Sequence, residues 1–143
     1  MLMPDVNVLI YAHRRDSHDE HPAYAAWLES LATGDEPFAL SVLSLAGVVR
    51  IVTNPKIFHR PSTLDEVFLF TSVLVGRPNA RVLAPGRRHL EIWERLCRAA
   101  NATGKLAADA QHAAMAIEHG CTWVSTDSDF DRFTELRWQH PLV

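Results

Sequence analysis

The sequence predicts an α/β fold, a three-layer α/β/α sandwich around a central, mainly parallel sheet. Three observations support this. Short β-rich apolar segments alternate with segments of helical periodicity from end to end. The opening run, Leu2 to Tyr11, is apolar except for Asp5 and Asn7, as a strand buried on both faces should be. A chain of 143 residues, 48% hydrophobic and 22% charged, suits one domain over residues 1–143 with one core.

The elements follow in order. Ser17 and Glu20 have capping-box spacing, Pro22 suits a first turn, and Tyr24, Trp27, Leu28 and Leu31 recur at helical spacing before Gly34 stops the helix. Phe38 to Leu40 reads as a short strand. Ser41 can cap a second helix with a stripe of Val42, Leu45, Val49 and Val52, ended by Asn54-Pro55. Thr63 and Glu66 form another capping box. The helix they open (Leu64, Val67, Phe68, Phe70, Val73, Leu74, Val75) is apolar over more of its girth than one core face needs. Arg81 to Leu83 reads as a strand, and a fourth helix sets Leu90, Trp93, Cys97 and Ala100 on one face. A fifth helix, from about Leu106 to Glu118, turns Ala110, Ala113, Ala114 and Ile117 inward and ends at Gly120. Thr122 to Thr126 is a strand, followed by the acidic turn Asp127 to Asp131 and a weak last strand, Leu136 to Trp138.

Composition excludes several classes of function. Fourteen basic against seventeen acidic residues give a net charge of −3, so a polyanion would have to be held by a local basic surface. All the basic residues except Lys56 and Lys105 are arginine, whose planar fork suits phosphate. Cys97 and Cys121 cannot build a disulfide framework and read as thiols of a reducing compartment. No apolar run approaches membrane-spanning length, and Asp5 interrupts the start where a signal peptide would be apolar; a cytoplasmic chain is expected. There is no P-loop, GxGxxG or GxSxG, and no zinc spacing of Cys and His. His18 and His21, at i and i+3 on a polar helix start, are expected to be solvated, as is His112.

In an open parallel sheet, ligands gather beyond the carboxyl ends of the strands. Asp5 lies in the first strand, Asp127 and Asp129 lie just past the strand at Thr122 to Thr126, and Asp109 is early in the helix feeding that strand. Residues far apart in sequence thus share one edge. Each acid has a structural use as well: Asp5 can pair with an arginine or a backbone group, Asp109 suits a helix dipole, and Asp127, Asp129 and Asp131 suit a solvated turn or a helix cap. Held together, however, such carboxylates repel unless a cation offsets their charge. Mg²⁺ meets that requirement, with Mn²⁺ as a substitute, and its common chemistry is at phosphate. Arg14, Arg15, Arg50, Lys56 and Arg60 are candidates to line a phosphate path.

These residues resemble the PIN-domain ribonucleases, specifically the VapC-type toxins of toxin–antitoxin pairs. The matching segments are Pro4-Asp5-Val6-Asn7-Val8-Leu9-Ile10, Val49-Arg50-Ile51-Val52-Thr53-Asn54-Pro55, Ala108-Asp109-Ala110-Gln111-His112-Ala113-Ala114-Met115-Ala116 and Thr126-Asp127-Ser128-Asp129-Phe130. The resemblance implies cleavage of single-stranded or looped RNA at Mg²⁺ or Mn²⁺ held by Asp5, Asp109 and Asp127. It also implies assistance from Asp129 and support from Asn7 and Thr126. A homodimer and a VapB-type antitoxin, which inserts a segment beside the active site, are further implications. The sequence departs from the pattern at one place. Where many members carry a Glu three residues before the arginine of the second helix, this chain has Gly47. That opens an alternative, a PIN-like module acting through RNA or protein contact without chemistry. A receiver-type phosphotransfer domain is a third reading, disfavoured because no lysine lies in the last strand region.

Overall fold

The computed structural model describes residues 1–143. The elements are β1 (Leu2–Pro4), α1 (Val6–His13), α2 (His21–Thr33), β2 (Phe38–Ser41), α3 (Val42–Val52), α4 (Leu64–Val75), β3 (Ala80–Leu83), α5 (His89–Ala100), α6 (Lys105–Glu118), β4 (Thr122–Val124), a 3₁₀ turn (Ser128–Arg132) and β5 (Trp138–Gln139). Three ladders pair the strands, β1 with β4, β4 with β5 and β2 with β3, and all are parallel. β2 runs beside β1, so the two small sheets form one central layer.

The alternation along the strands builds a core on each face. Phe38 and Leu40 of β2 pack with Val6, Leu9, Leu28, Val48, Val52 and Val67 from α1 to α4. Ala39 and Met3 face the other way, onto Ile92 and Leu96 of α5, Ala110, Ala113 and Ala114 of α6, and Trp123 and Phe130. This is the expected three-layer arrangement. No helix is long and apolar enough to cross a membrane.

The largest difference from the expected elements lies at the start of the chain. Leu2 to Tyr11 is not one strand: β1 stops at Pro4, and Asp5 becomes the N-cap of α1, accepting a hydrogen bond from the Val6 N–H. A short apolar run has the same composition in a buried strand and a buried helix, and the capping acid decides between them. The Ser17–Glu20 capping box does not form. The Ser17 hydroxyl donates to the carbonyls of Ile10 and Arg14, and Glu20 makes no side-chain cap bond. The Thr63–Glu66 box is present. In α3 the most buried residues are Ser44, Val48 and Val52, one residue off part of the expected stripe. In α5 the buried residues are His89, Ile92 and Leu96, while Leu90 is 70% exposed. The third helix of the sequence reading, α4, leaves Leu64, Phe68, Leu69, Val73 and Val75 exposed, so its broad apolar girth is not core.

Gly47 lies where α1 meets α3. A Cβ at Gly47 would stand 2.9 Å from Cγ2 of Val6, the residue directly after Asp5. The bare backbone lets the start of α1 settle onto α3, and Val6 is β-branched and buried, with little freedom to yield. Replacing a helical glycine by alanine ordinarily gains about 1 kcal/mol. Here overpacking of roughly 1–3 kcal/mol opposes that gain. Gly47→Ala is expected to lower the thermal midpoint followed by circular dichroism, and to lower it less in a Val6→Ala background than in the wild-type chain. A midpoint raised by Gly47→Ala alone would contradict this packing.

Candidate active site

Asp5 sits at the carboxyl end of β1, where its backbone N–H still donates to the Val124 carbonyl of β4 at 2.8 Å. One carboxylate oxygen accepts from Val6 N–H at 2.6 Å and the other from the Ser125 hydroxyl at 2.7 Å. The acid is thus fixed between two strand ends and the positive end of the α1 dipole. It is only 6% exposed. Burial, foremost, pushes its pKa from the usual 3.8 up to about 6, against the lowering effect of its two hydrogen bonds; the charges of Asp109 and Asp127 push the same way as burial.

Asp109 comes from the second turn of α6, and Asp127 from the turn after β4. Asp127 is itself held: its N–H donates to the Ser125 hydroxyl at 3.0 Å, and its carboxylate caps the 3₁₀ turn by accepting from Asp129 N–H at 2.9 Å. Asp5, Asp109 and Asp127 line one cleft of about 660 Å³, together with Asn7, Gly47, Arg50, Lys105 and His112. The Lys105 ammonium stands 3.0 Å from Asp109 and 3.3 Å from Asp127, and these contacts, chiefly that with Asp109, hold its pKa above the usual lysine value.

The remaining expected residues divide. Arg50 is on the cleft wall. Arg14 is not: it pairs with Asp16, donates to Ser62 and the Arg60 carbonyl, and lies over the Phe58 ring. Arg15 belongs to a separate polar hollow with His18 and His21. Asp129 points away, toward Arg132 at 4.0 Å, and meets the site only through its backbone N–H. Thr126 is half-buried beside the cleft without lining it. His112, expected at the surface, is half-buried instead; its ring stacks on Trp123 and burial lowers its pKa.

Two further residues hold the site together. Ser125, between strand and acidic turn, ties Asp5 to Asp127 through one hydroxyl. Lys105 lies four residues before Asp109, the spacing of a helical ion pair, and that spacing was the available signal.

The donor set suits a hard divalent cation. It is all oxygen, two of its acids already share an ammonium, and the third is costly to ionise alone. No three His, Cys, Asp or Glu side chains stand where they could ligate one ion simultaneously. Mg²⁺ does not need that, because it keeps several waters and is commonly bound through one or two carboxylates.

Residues 2–136 match the family model of the PIN domain. Ribonuclease VapC43 of Mycobacterium tuberculosis is 44% identical over 142 residues, 99% of this chain and 96% of that protein. Ribonuclease VapC25 of the same species is 40% identical over 143 residues, the whole of both chains. The chain belongs to the VapC family of PIN-domain proteins. Solved structures agree on the fold. A chain of VapBC2 from Rickettsia felis, bound to a DNA fragment from its promoter, superposes with a TM-score of 0.70 at 18% identity, covering 97% of each chain. VapBC-1 from nontypeable Haemophilus influenzae gives a TM-score of 0.70 at 16% identity, covering 99% of this chain and 98% of its own.

Asp5 gives this VapC-family chain a defined pH dependence. Because its folded pKa is raised, the associated stability is present below about pH 4 and lost as pH rises through about 6. In metal-free protein Asp5→Asn is expected to be the more stable form near pH 7.5, by up to roughly 3 kcal/mol, and equal to wild type near pH 4. Denaturant titrations at the two pH values check this. A variant less stable than wild type at both would show that the buried charge is not a burden.

Proposed function

We propose that the chain is a metal-dependent endoribonuclease and the toxin of a VapB–VapC pair. The observation that carries this is the convergence of Asp5, Asp109 and Asp127 in one cleft at the carboxyl ends of parallel strands. The 40–44% identity to proteins named VapC ribonucleases supports the reaction class.

Asp5, Asp109 and Asp127 would hold Mg²⁺, or Mn²⁺ in its place. When bound, such an ion polarises a phosphoryl oxygen and makes water a stronger nucleophile at neutral pH. The chain's own residues do the positioning. Ser125 and Val6 N–H fix the Asp5 carboxylate, and Ser125 also orients the Asp127 turn. Arg50 offers a guanidinium fork to the strand's phosphates, and Asn7 supplies a polar side chain on the cleft wall. Asp129 and Thr126 support the turn that carries Asp127. In-line attack by water leaves a 3′-hydroxyl and a 5′-phosphate.

The surface supports the expected partners. A groove between α2 and α4, walled by Leu28, Ala32, Leu69, Phe70 and Val73, and the exposed apolar residues of α4 support contact with a VapB-type antitoxin and a second copy of the chain. A cytoplasmic location accords with the free thiols Cys97 and Cys121.

Gly47 favours a second reading, a PIN-like module that acts through RNA or protein contact without cutting RNA. One experiment separates the two: incubation of the purified chain with single-stranded RNA in Mg²⁺, with and without chelator, and mapping of the ends. The enzyme reading expects cleavage that chelator stops and that Asp5→Asn lowers by about two orders of magnitude or more. Binding indifferent to chelator, with no cleavage in Mg²⁺ or Mn²⁺, would select the module.

A further inference from the structure

The acid cleft already contains a cation of its own chain. Lys105 is the first residue of α6, and its Nζ bridges Oδ2 of Asp109 and Oδ2 of Asp127 at 3.0 and 3.3 Å. Asp109 and Asp127 form no other ion pair. The lysine side chain is 73% exposed, whereas those of Asp109 and Asp127 are 16% and 26% exposed. The ammonium therefore reaches onto the acids from the solvent side, on a flexible stem, with no buried contact to hold it. Such a pair is weak, and holding the long stem in one rotamer costs side-chain entropy. A doubly charged ion between the same oxygens gains more from them than a single ammonium does.

We propose that Lys105 is the resident counter-cation of the acid cleft, displaced when a divalent ion enters and then presented to the phosphate backbone of the bound RNA. Its stem roots it at the cleft rim, so a displaced Nζ stays beside the acids while leaving them. Arg50 of α3 lines the same cleft, and the two cations together flank the acids with groups that attract a phosphate strand. In the metal-free chain the same ammonium lowers the repulsion between Asp109 and Asp127. The inference rests on the metal-dependent reading above and adds to it a residue with two successive partners.

The test measures binding rather than turnover. Mn²⁺ affinity near neutral pH and low salt is read from the resonance signal of free Mn²⁺ for wild type, Lys105→Met and Lys105→Arg. Binding of a short single-stranded RNA is read by fluorescence anisotropy in Ca²⁺. Lys105→Met is expected to bind Mn²⁺ roughly three- to tenfold more tightly than wild type, because the competing charge is gone. The same variant is expected to bind RNA about three- to tenfold more weakly in Ca²⁺, with Lys105→Arg restoring most of that loss. Unchanged or weaker Mn²⁺ binding by Lys105→Met overturns the counter-cation role. Unchanged RNA binding overturns the phosphate role. If wild type itself binds no Mn²⁺, the metal-dependent reading falls and this inference falls with it. Mn²⁺ bound equally by wild type and Lys105→Met removes the counter-cation role of Lys105 and leaves the metal-dependent reading standing.

Discussion

A carboxylate buried at the meeting point of two parallel strands sets the terms for the rest of this molecule. Asp5 is held by the first N–H of α1 and by a hydroxyl from the end of β4, so its position depends on the β1–β4 pairing and on the helix that it caps. That arrangement orients both carboxylate oxygens but does not neutralise them, and the two nearby acids add to the charge. An unpaired buried charge is among the costliest features a fold can carry. Its presence here makes sense when the charge has a use, and holding a cation is such a use.

The surrounding structure can be understood as support for that acid. Ser125 serves Asp5 and Asp127 with one side chain, which couples the two strand ends. Gly47 removes a Cβ so that α1 can lie close on α3 and bring Val6, and with it Asp5, to the cleft floor. The small-residue face of α6, Ala110, Ala113 and Ala114, lets that helix pack closely into the core, which keeps Asp109 at the rim. Lys105 then balances charge at the mouth. The departure at Gly47 thus has a packing role of its own.

Much of this was legible in the sequence, and the exceptions have physical causes. The alternation of strands and helices, the Thr63 capping box and the convergence of Asp5, Asp109 and Asp127 could be inferred because each depends on local pattern or on chain order. The strand-to-helix change at Asp5 was hidden because Leu2 to Tyr11 is apolar under either conformation. Ser125 was hidden because a serine beside a buried strand carries no pattern of its own. Arg14 looked like a phosphate ligand from its place after the first apolar segment, yet its guanidinium is occupied by Asp16, Ser62 and Arg60. Side-chain partners across long sequence separations are what a single sequence shows least.

The proposed role of a divalent ion is to make the nest of Asp5, Asp109 and Asp127 tolerable. Anomalous diffraction from crystals of the wild-type chain soaked in Mn²⁺ at neutral pH addresses it directly. The expected result is a manganese peak between Asp5, Asp109 and Asp127, bound directly or through water, with the Lys105 ammonium moved off the acids. A cleft without manganese, with Lys105 still bridging Asp109 and Asp127 at saturating ion, would contradict it.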